Sequence, residues 1–384
     1  MSETIGWHDY SDSHGGKKIT TINPAVQSGS TVLFENYEDM LAAQSGEYPG
    51  VTYGTGGLAT QKAFEEAFCR LENGHTTKAF PSGISAIINT FMTFTQGGDE
   101  ILLCDNVYGP TARFCHKVLA KYGVKITSIA SDVGGEIESQ ITDKTKLIFL
   151  ESPGSNTFEI QDIRAITKIA SERNIITVID NTWATPLHLK PLDLGVDVSI
   201  HSATKYICGY SDLLMGVATV NKKYAATFDA FYHSLENYTN PHDCYLALRG
   251  LRTLEVRLKA HETSAYEIAR WLEGHELVDK VIHPGLASHP QHDLWKRDYT
   301  GAAGLFAFTF KKNYSVEHIG SFVNSLNMFG LGFSWGGFKS LITAGKFKRG
   351  GEWSHDGKHL IRLNIGLENA KDLKADLELA FQKL

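Results

Sequence analysis

Short apolar runs recur through the middle of the chain, and stretches of helical length and pattern separate them. Runs with strand character are Thr77–Phe80, Glu100–Leu103, Lys125–Ile129, Lys146–Leu150, Ile175–Ile179, Val196–Ile200 and Leu214–Val220. Helices are predicted between them, among them Phe114–Lys121, Ile163–Glu172 and an apolar stretch running through Phe94. Strands alternating with helices predict a mostly parallel sheet covered on both faces. The pattern changes near Asn240-Pro241. A long helical stretch follows, from Tyr245 to Gly274, with Leu248, Leu251, Leu254 and Leu258 at helical spacing. Beyond it a strand, Gly304–Phe310, and a helix, Val316–Ser325, predict a smaller α+β unit. The first 50 residues are polar and irregular, with one strand-like run at Thr31–Phe34, and are expected to form an arm. The expected division is therefore an arm over 1–50, a large α/β domain over 51–242 and a C-terminal domain over 243–384.

Candidate chemistry gathers at the predicted strand ends. Val196–Ile200 is followed by His201-Ser202-Ala203-Thr204-Lys205, which puts a lysine beside the hydroxyls of Ser202 and Thr204 just past a strand. Lysine condenses with carbonyl compounds, of which pyridoxal phosphate (PLP) is the common one. A surface lysine after an edge strand is the plainer alternative. Ile175–Ile179 ends in Asp180, and a carboxylate there faces the ligand crevice of a parallel sheet. An acid of this kind keeps a pyridine nitrogen protonated, although a helix N-cap also calls for Asp. Pro81-Ser82-Gly83-Ile84 leads into the apolar helical run and offers free N–H groups to a phosphate. Tyr108, past Glu100–Leu103, could stack on a flat ring or serve in an interface.

Composition narrows the choice. The 384 residues are 42% hydrophobic and 21% charged, an ordinary globular balance with room for two domains. A net charge of −6 argues against a nucleic-acid partner. No apolar run is long enough to span a bilayer, so no membrane is expected. The N-terminus carries no basic-then-apolar leader, and five cysteines without a CxxC pair suit reduced thiols in a cytoplasm.

Longer motifs sharpen this picture. They are Glu151-Ser152-Pro153-Gly154-Ser155, Asp180-Asn181-Thr182-Trp183, Ser202-Ala203-Thr204-Lys205-Tyr206, Leu248-Arg249-Gly250-Leu251-Arg252-Thr253-Leu254 and Ile361-Arg362-Leu363-Asn364-Ile365-Gly366-Leu367-Glu368. With them the chain resembles, over nearly its whole length, the Cys/Met-metabolism PLP-dependent family. Phe333-Ser334-Trp335-Gly336-Gly337 is most similar to the cystathionine β-lyases within it. The resemblance implies the PLP-dependent type I fold, PLP as cofactor, and a homotetramer built from dimers that share active sites. It implies cleavage of L-cystathionine to homocysteine, pyruvate and ammonia, a step of methionine biosynthesis.

The resemblance also assigns roles. Lys205 would carry the cofactor and the proton. Asp180 would pair with the pyridine nitrogen and Tyr108 would stack on the ring. Gly83, Ile84, Ser202 and Thr204 would bind the phosphate, joined by Tyr53 from a neighbouring subunit. Arg362 would hold the substrate α-carboxylate, and Ser334 and Trp335 would shape the pocket. No metal is expected. The chain departs from the family pattern at three places. Thr55 stands where the phosphate arginine is usual, Tyr210 where His is usual, and Lys339 where an acid is typical. Three alternatives stay open: a γ-synthase or γ-lyase, an amino-acid racemase with Tyr108 or Tyr53 as second proton donor, and a PLP-binding regulatory protein. The absence of a basic or helix-turn-helix extension counts against the last.

Overall fold

A computed structural model describes residues 10–14, 16–347, 349 and 357–384. Residues 1–9 and 15 of the expected arm, and 348 and 350–356 of the expected C-terminal domain, lie outside the described residues.

The apolar runs form one seven-stranded sheet. Its strands are β3 (Thr76–Phe80), β4 (Glu100–Cys104), β5 (Lys125–Ile129), β6 (Thr145–Glu151), β7 (Ile176–Asp180), β8 (Val198–His201) and β9 (Gly216–Val220), after a hairpin of β1 (Tyr10–His14) and β2 (Lys17–Thr21). The order across the sheet is β3-β9-β8-β7-β6-β4-β5. The pairs β8/β7, β7/β6, β6/β4 and β4/β5 are parallel, and β9 is antiparallel to both its neighbours. β9 alone therefore runs against the rest, so β3, β4, β6, β7 and β8 all end at one edge. That common edge is where a doubly wound sheet collects ligands. Strands β4, β7, β8 and β9 are buried throughout, so Thr177, Ser199 and Thr219 lie inside the core even where, as in β8, the sequence alternates.

Helix α1 (Tyr37–Ser45) buries no residue, whereas α2 (Ala59–Leu71), α3 (Gly83–Phe94), α4 (Gly109–Lys117) and α5 (Ile163–Glu172) each bury one side, and all five precede β7. Helix α5 has the predicted bounds. Helix α4 starts earlier than predicted because Pro110 sits in its first turn, and it gives way at Val118 to a 3-10 turn, Leu119–Tyr122. The long predicted helix is two, Pro241–Arg252 and Leu254–Glu273, broken at Thr253. Thr31–Phe34 is not a strand, since only Thr31 pairs, in a single bridge to Tyr53. The C-terminal part holds a second sheet in the order β10 (Val278–Ile282), β11 (Leu305–Phe310), β14 (Leu360–Asn364), β13 (Leu341–Gly345), β12 (Gly330–Leu331). It has its own core, built around Phe306, Phe308, Phe322 and Ile361. No helix among the described residues is long and apolar enough to cross a membrane.

Candidate active site

The strand ends bring most of the sequence-predicted residues together. Asp180 closes β7 and is buried. Its Oδ1 accepts the Thr182 N–H at 3.0 Å and the Thr182 hydroxyl. The Thr182 hydroxyl in turn accepts the Ser202 N–H at 2.8 Å. Asp180 Oδ2 takes no hydrogen bond among the described residues, so it is the atom left for a ligand. Burial pushes the Asp180 carboxyl above its ordinary range, while Thr182, His201 and Lys205 oppose the shift. A cationic partner on Oδ2 would relieve that cost.

Lys205 follows β8 by four residues, and its Nζ donates to Ser334 Oγ at 2.7 Å. It also lies 5.4 Å from the centre of the Trp335 ring. Burial and, secondarily, the Arg362 guanidinium push its ammonium down to about 8. Ser334 reaches it because Gly336 packs on the Lys205 backbone. A Cβ on Gly336 would stand 2.9 Å from the Lys205 carbonyl carbon, and its φ is +79°. Both facts call for glycine. Ser334 itself holds φ +80°, a costly conformation for serine of the kind that clusters at functional sites. Arg362, on β14, donates from Nη1 to Asn156 Oδ1 at 3.0 Å and from Nη2 to the Ser334 carbonyl at 3.4 Å. Burial lowers it to about 10, with Tyr108 opposing. Lys205, Ser334, Trp335 and Arg362 thus form one group.

Helix α3 begins beside them. Ser82 caps it, accepting the Ser85 N–H at 3.2 Å. The Gly83 and Ile84 N–H groups have no acceptor among the described residues, as at any helix start. A Cβ on Gly83 would lie 2.8 Å from the Ser202 Cβ, so this turn and the Ser202 turn touch. The Thr204 hydroxyl is engaged locally: it donates to the Met215 carbonyl at 3.2 Å and accepts the Met215 N–H at 2.9 Å. Tyr108 caps α4, its N–H held by Glu151 Oε2 at 2.6 Å, and its side chain is half exposed. Tyr53 is not drawn into this group. It bridges Thr31, Gly54 beside it donates to the Ser30 carbonyl at 2.7 Å, and its ring is half exposed. Thr55 lies in the short 3-10 turn Gly54–Gly56 beside it. Tyr210 lies over Arg257, 5.7 Å from the guanidinium carbon to its ring centre, and the Lys339 Nζ lies 3.9 Å from Glu368.

The family model for the Cys/Met metabolism PLP-dependent enzymes matches residues 8–382. The chain belongs to this family. It is 37% identical to the cystathionine beta-lyase MetC of Escherichia coli, with 96% of each chain covered. It is 40% identical to an L-alanine/L-glutamate racemase of Wolbachia pipientis, covering 95% of this chain and 93% of the relative. Among solved structures, metB from Corynebacterium glutamicum superposes with a TM-score of 0.88 at 30% identity, covering 99% of this chain and 96% of that one.

The cofactor of the family is pyridoxal 5'-phosphate, and the residues present fit it. The unpaired Gly83 and Ile84 amides at a helix N-terminus suit the phosphate. The open Asp180 Oδ2 suits a protonated ring nitrogen, and the Lys205 amine suits the cofactor's carbonyl carbon. Among the described residues no cluster of ligating side chains could hold a metal ion. Sequence reasoning gave no role to three residues that this geometry uses. Thr182 and Glu151 stand inside motifs that the sequence displays, so their spacing was a signal. Asn156 had none, because one asparagine past a Pro-Gly-Ser turn does not announce a left-handed backbone.

The position of Lys205 sets a pH dependence. Its amine is protonated below about 8 and neutral above it, against 10.5 for an ordinary lysine. Only the neutral amine attacks a carbonyl. Reloading of cofactor-stripped protein with pyridoxal phosphate is therefore expected to accelerate as pH rises, with its midpoint near 8. Stopped-flow absorbance across pH 6–10 measures it, and a midpoint near 10 would contradict the burial of Lys205.

Proposed function

We propose that the protein is a carbon–sulfur lyase that cleaves L-cystathionine by β-elimination to homocysteine, pyruvate and ammonia, within methionine biosynthesis. The observation that carries this reading is that Lys205 and Arg362 meet at one residue, Ser334. A base and a carboxylate holder on either side of a small pocket are what removal of an amino acid's Cα proton requires. Bound pyridoxal phosphate would supply the electron sink for that carbanion. Arg362 holds the α-carboxylate. Lys205 Nζ, neutral near pH 8, takes the Cα proton, and the β-carbon–sulfur bond breaks. The same Nζ returns a proton to the departing sulfur, giving the thiol, and water hydrolyses the released aminoacrylate to pyruvate and ammonia. Asp180 Oδ2 would hold the protonated ring nitrogen of the bound cofactor. Trp335 packs against Tyr206 with ring centres 5.4 Å apart and walls the pocket beside the amine. Similarity to the Escherichia coli lyase supports the choice of substrate. Incubation with L-cystathionine tests it: pyruvate is expected, and 2-oxobutyrate would mark γ-elimination instead.

A second reading has its own observation, the 40% identity to a racemase. After Lys205 takes the Cα proton, a group on the opposite face could return it, and Tyr108 and Tyr53 are the candidates. Loss of optical rotation of L-alanine measures this activity.

The domain division and the assembly belong to the same proposal. The cofactor-binding domain spans 51–242 and the C-terminal domain 243–384. The protein acts as a cytoplasmic homotetramer in which Tyr53 of one subunit serves the phosphate of another. Half-exposed Tyr53, which no hydrogen bond or ring contact among the described residues joins to its own Lys205 group, supports this. Mixing Lys205→Ala protein with Tyr53→Ala protein after partial unfolding is expected to restore turnover that neither has alone. No recovery in a refolded mixture would sink the shared site.

A further inference from the structure

Two residues with left-handed backbone turn the Arg362 guanidinium. Ser334 (φ +80°) accepts from Nη2 through its carbonyl, and Asn156 (φ +69°) accepts from Nη1 through its side chain at 3.0 Å. Nε has no partner among the described residues. Nη2 carries two N–H groups and Ser334 takes one, so Nε and one Nη2 N–H remain for a ligand, and an Nε–Nη2 pair takes a carboxylate through two parallel hydrogen bonds. Asparagine is the non-glycine residue that best tolerates φ above zero, so this position suits both the backbone and the amide.

The loop carrying Asn156 is pinned on every side. Gly154 and Glu159 close it through a backbone bond of 2.9 Å, and the Ser155 N–H donates to the Asn106 carbonyl at 2.8 Å. Arg349, from the far end of the chain, donates to the Ser155 carbonyl at 2.7 Å and the Thr157 hydroxyl at 2.9 Å. It also pairs with Glu159 at 3.6 Å, and the Thr157 hydroxyl donates to Glu159 at 2.7 Å. An arginine and a carboxylate are therefore committed to a six-residue turn whose outward product is one amide oxygen on Arg362.

We propose that Asn156 is a positioning residue for substrate recognition: it fixes Arg362 so that the Nε–Nη2 edge faces the α-carboxylate. The proposal rests on the reading of Arg362 as the carboxylate holder, and the test separates the two. Asn156→Gly keeps the left-handed backbone and removes the amide. Holoenzyme is titrated by absorbance with L-alanine and with ethylamine, the same amine without the carboxylate. Asn156→Gly is expected to weaken L-alanine about tenfold and leave ethylamine unchanged, since a hydrogen bond to a charged group is of that order. KM for L-cystathionine should rise by the same factor with kcat little changed. Asn156→Asp keeps an acceptor but sets a second anion beside the substrate carboxylate, and should also weaken L-alanine while sparing ethylamine. Arg362→Lys is the control. If it weakens L-alanine and Asn156→Gly does not, the positioning role is overturned while the Arg362 reading stands. If Arg362→Lys itself has no effect, both fail. Equal weakening of both ligands by Asn156→Gly would mean that the loop matters only for folding, and would overturn the proposal.

Discussion

Replacing Lys205 with alanine is expected to abolish the visible absorbance of the bound cofactor and to lower turnover by about 10⁴-fold or more. A positioned proton carrier alone contributes roughly 10²–10⁴-fold, and here the same amine would also hold the cofactor. The variant should fold. Burial opposes the Lys205 charge, pushing its ammonium down to about 8, so removing it relieves a desolvation cost. Its lost partners are one hydroxyl, Ser334 Oγ, and the face of Trp335. Thermal unfolding measured beside activity separates the two effects. A melting temperature at or above that of the parent, with turnover gone, is the expected pair. A folded variant that keeps full turnover would remove Lys205 from the chemistry.

Asp180→Asn is the second large effect. A carboxylate beside a cationic nitrogen raises the nitrogen's pKa by about 1–3 units. Asparagine has nearly the same shape but carries no charge, so the protonated ring is lost by the corresponding factor. Elimination is expected to fall by about 10²-fold, with the cofactor still bound. Retention is expected because Asn at 180 can still accept the Thr182 N–H through its amide oxygen, keeping the turn that reaches Ser202. The measurement is kcat against cofactor content. A variant with normal kcat would show that Oδ2 does not face a ring nitrogen. Loss of cofactor in step with activity would instead assign Asp180 to retention.

The sheet was legible in the sequence because its central strands are buried on both faces. Ile176–Asp180 carries one polar position before the acid, the buried and β-branched Thr177, and the acid marks the strand end. Direction was not legible. β9 runs against its neighbours, yet its residues are as apolar as those of β8, and no side chain records which way a buried strand points. The break at Thr253 was hidden for a related reason: leucines at helical spacing continue through it, from Leu251 to Leu254, so periodicity sees one helix. The pairing of β1 with β2 carries no alternation to betray it, since β2 is exposed at every position. At the site, Lys205, Asp180, Arg362 and Ser334 were legible as motif residues, and the structure groups them. Thr182 and Asn156 act through geometry that one dimension does not display, a hydroxyl that both donates and accepts and a φ above zero.

The Thr182 hydroxyl joins Asp180 to the Ser202 amide, and Ser202 touches the turn at Gly83. The acid and the helix-start turn are therefore not two independent grips. They are the jaws of a caliper whose opening is set by one oxygen atom. With Asp180 and the Gly83 turn as the two grips, a flat molecule with a basic nitrogen at one end and a phosphate at the other would be accepted only at one length. A compound with one atom more or fewer between these ends would fill a single jaw and slip from the other.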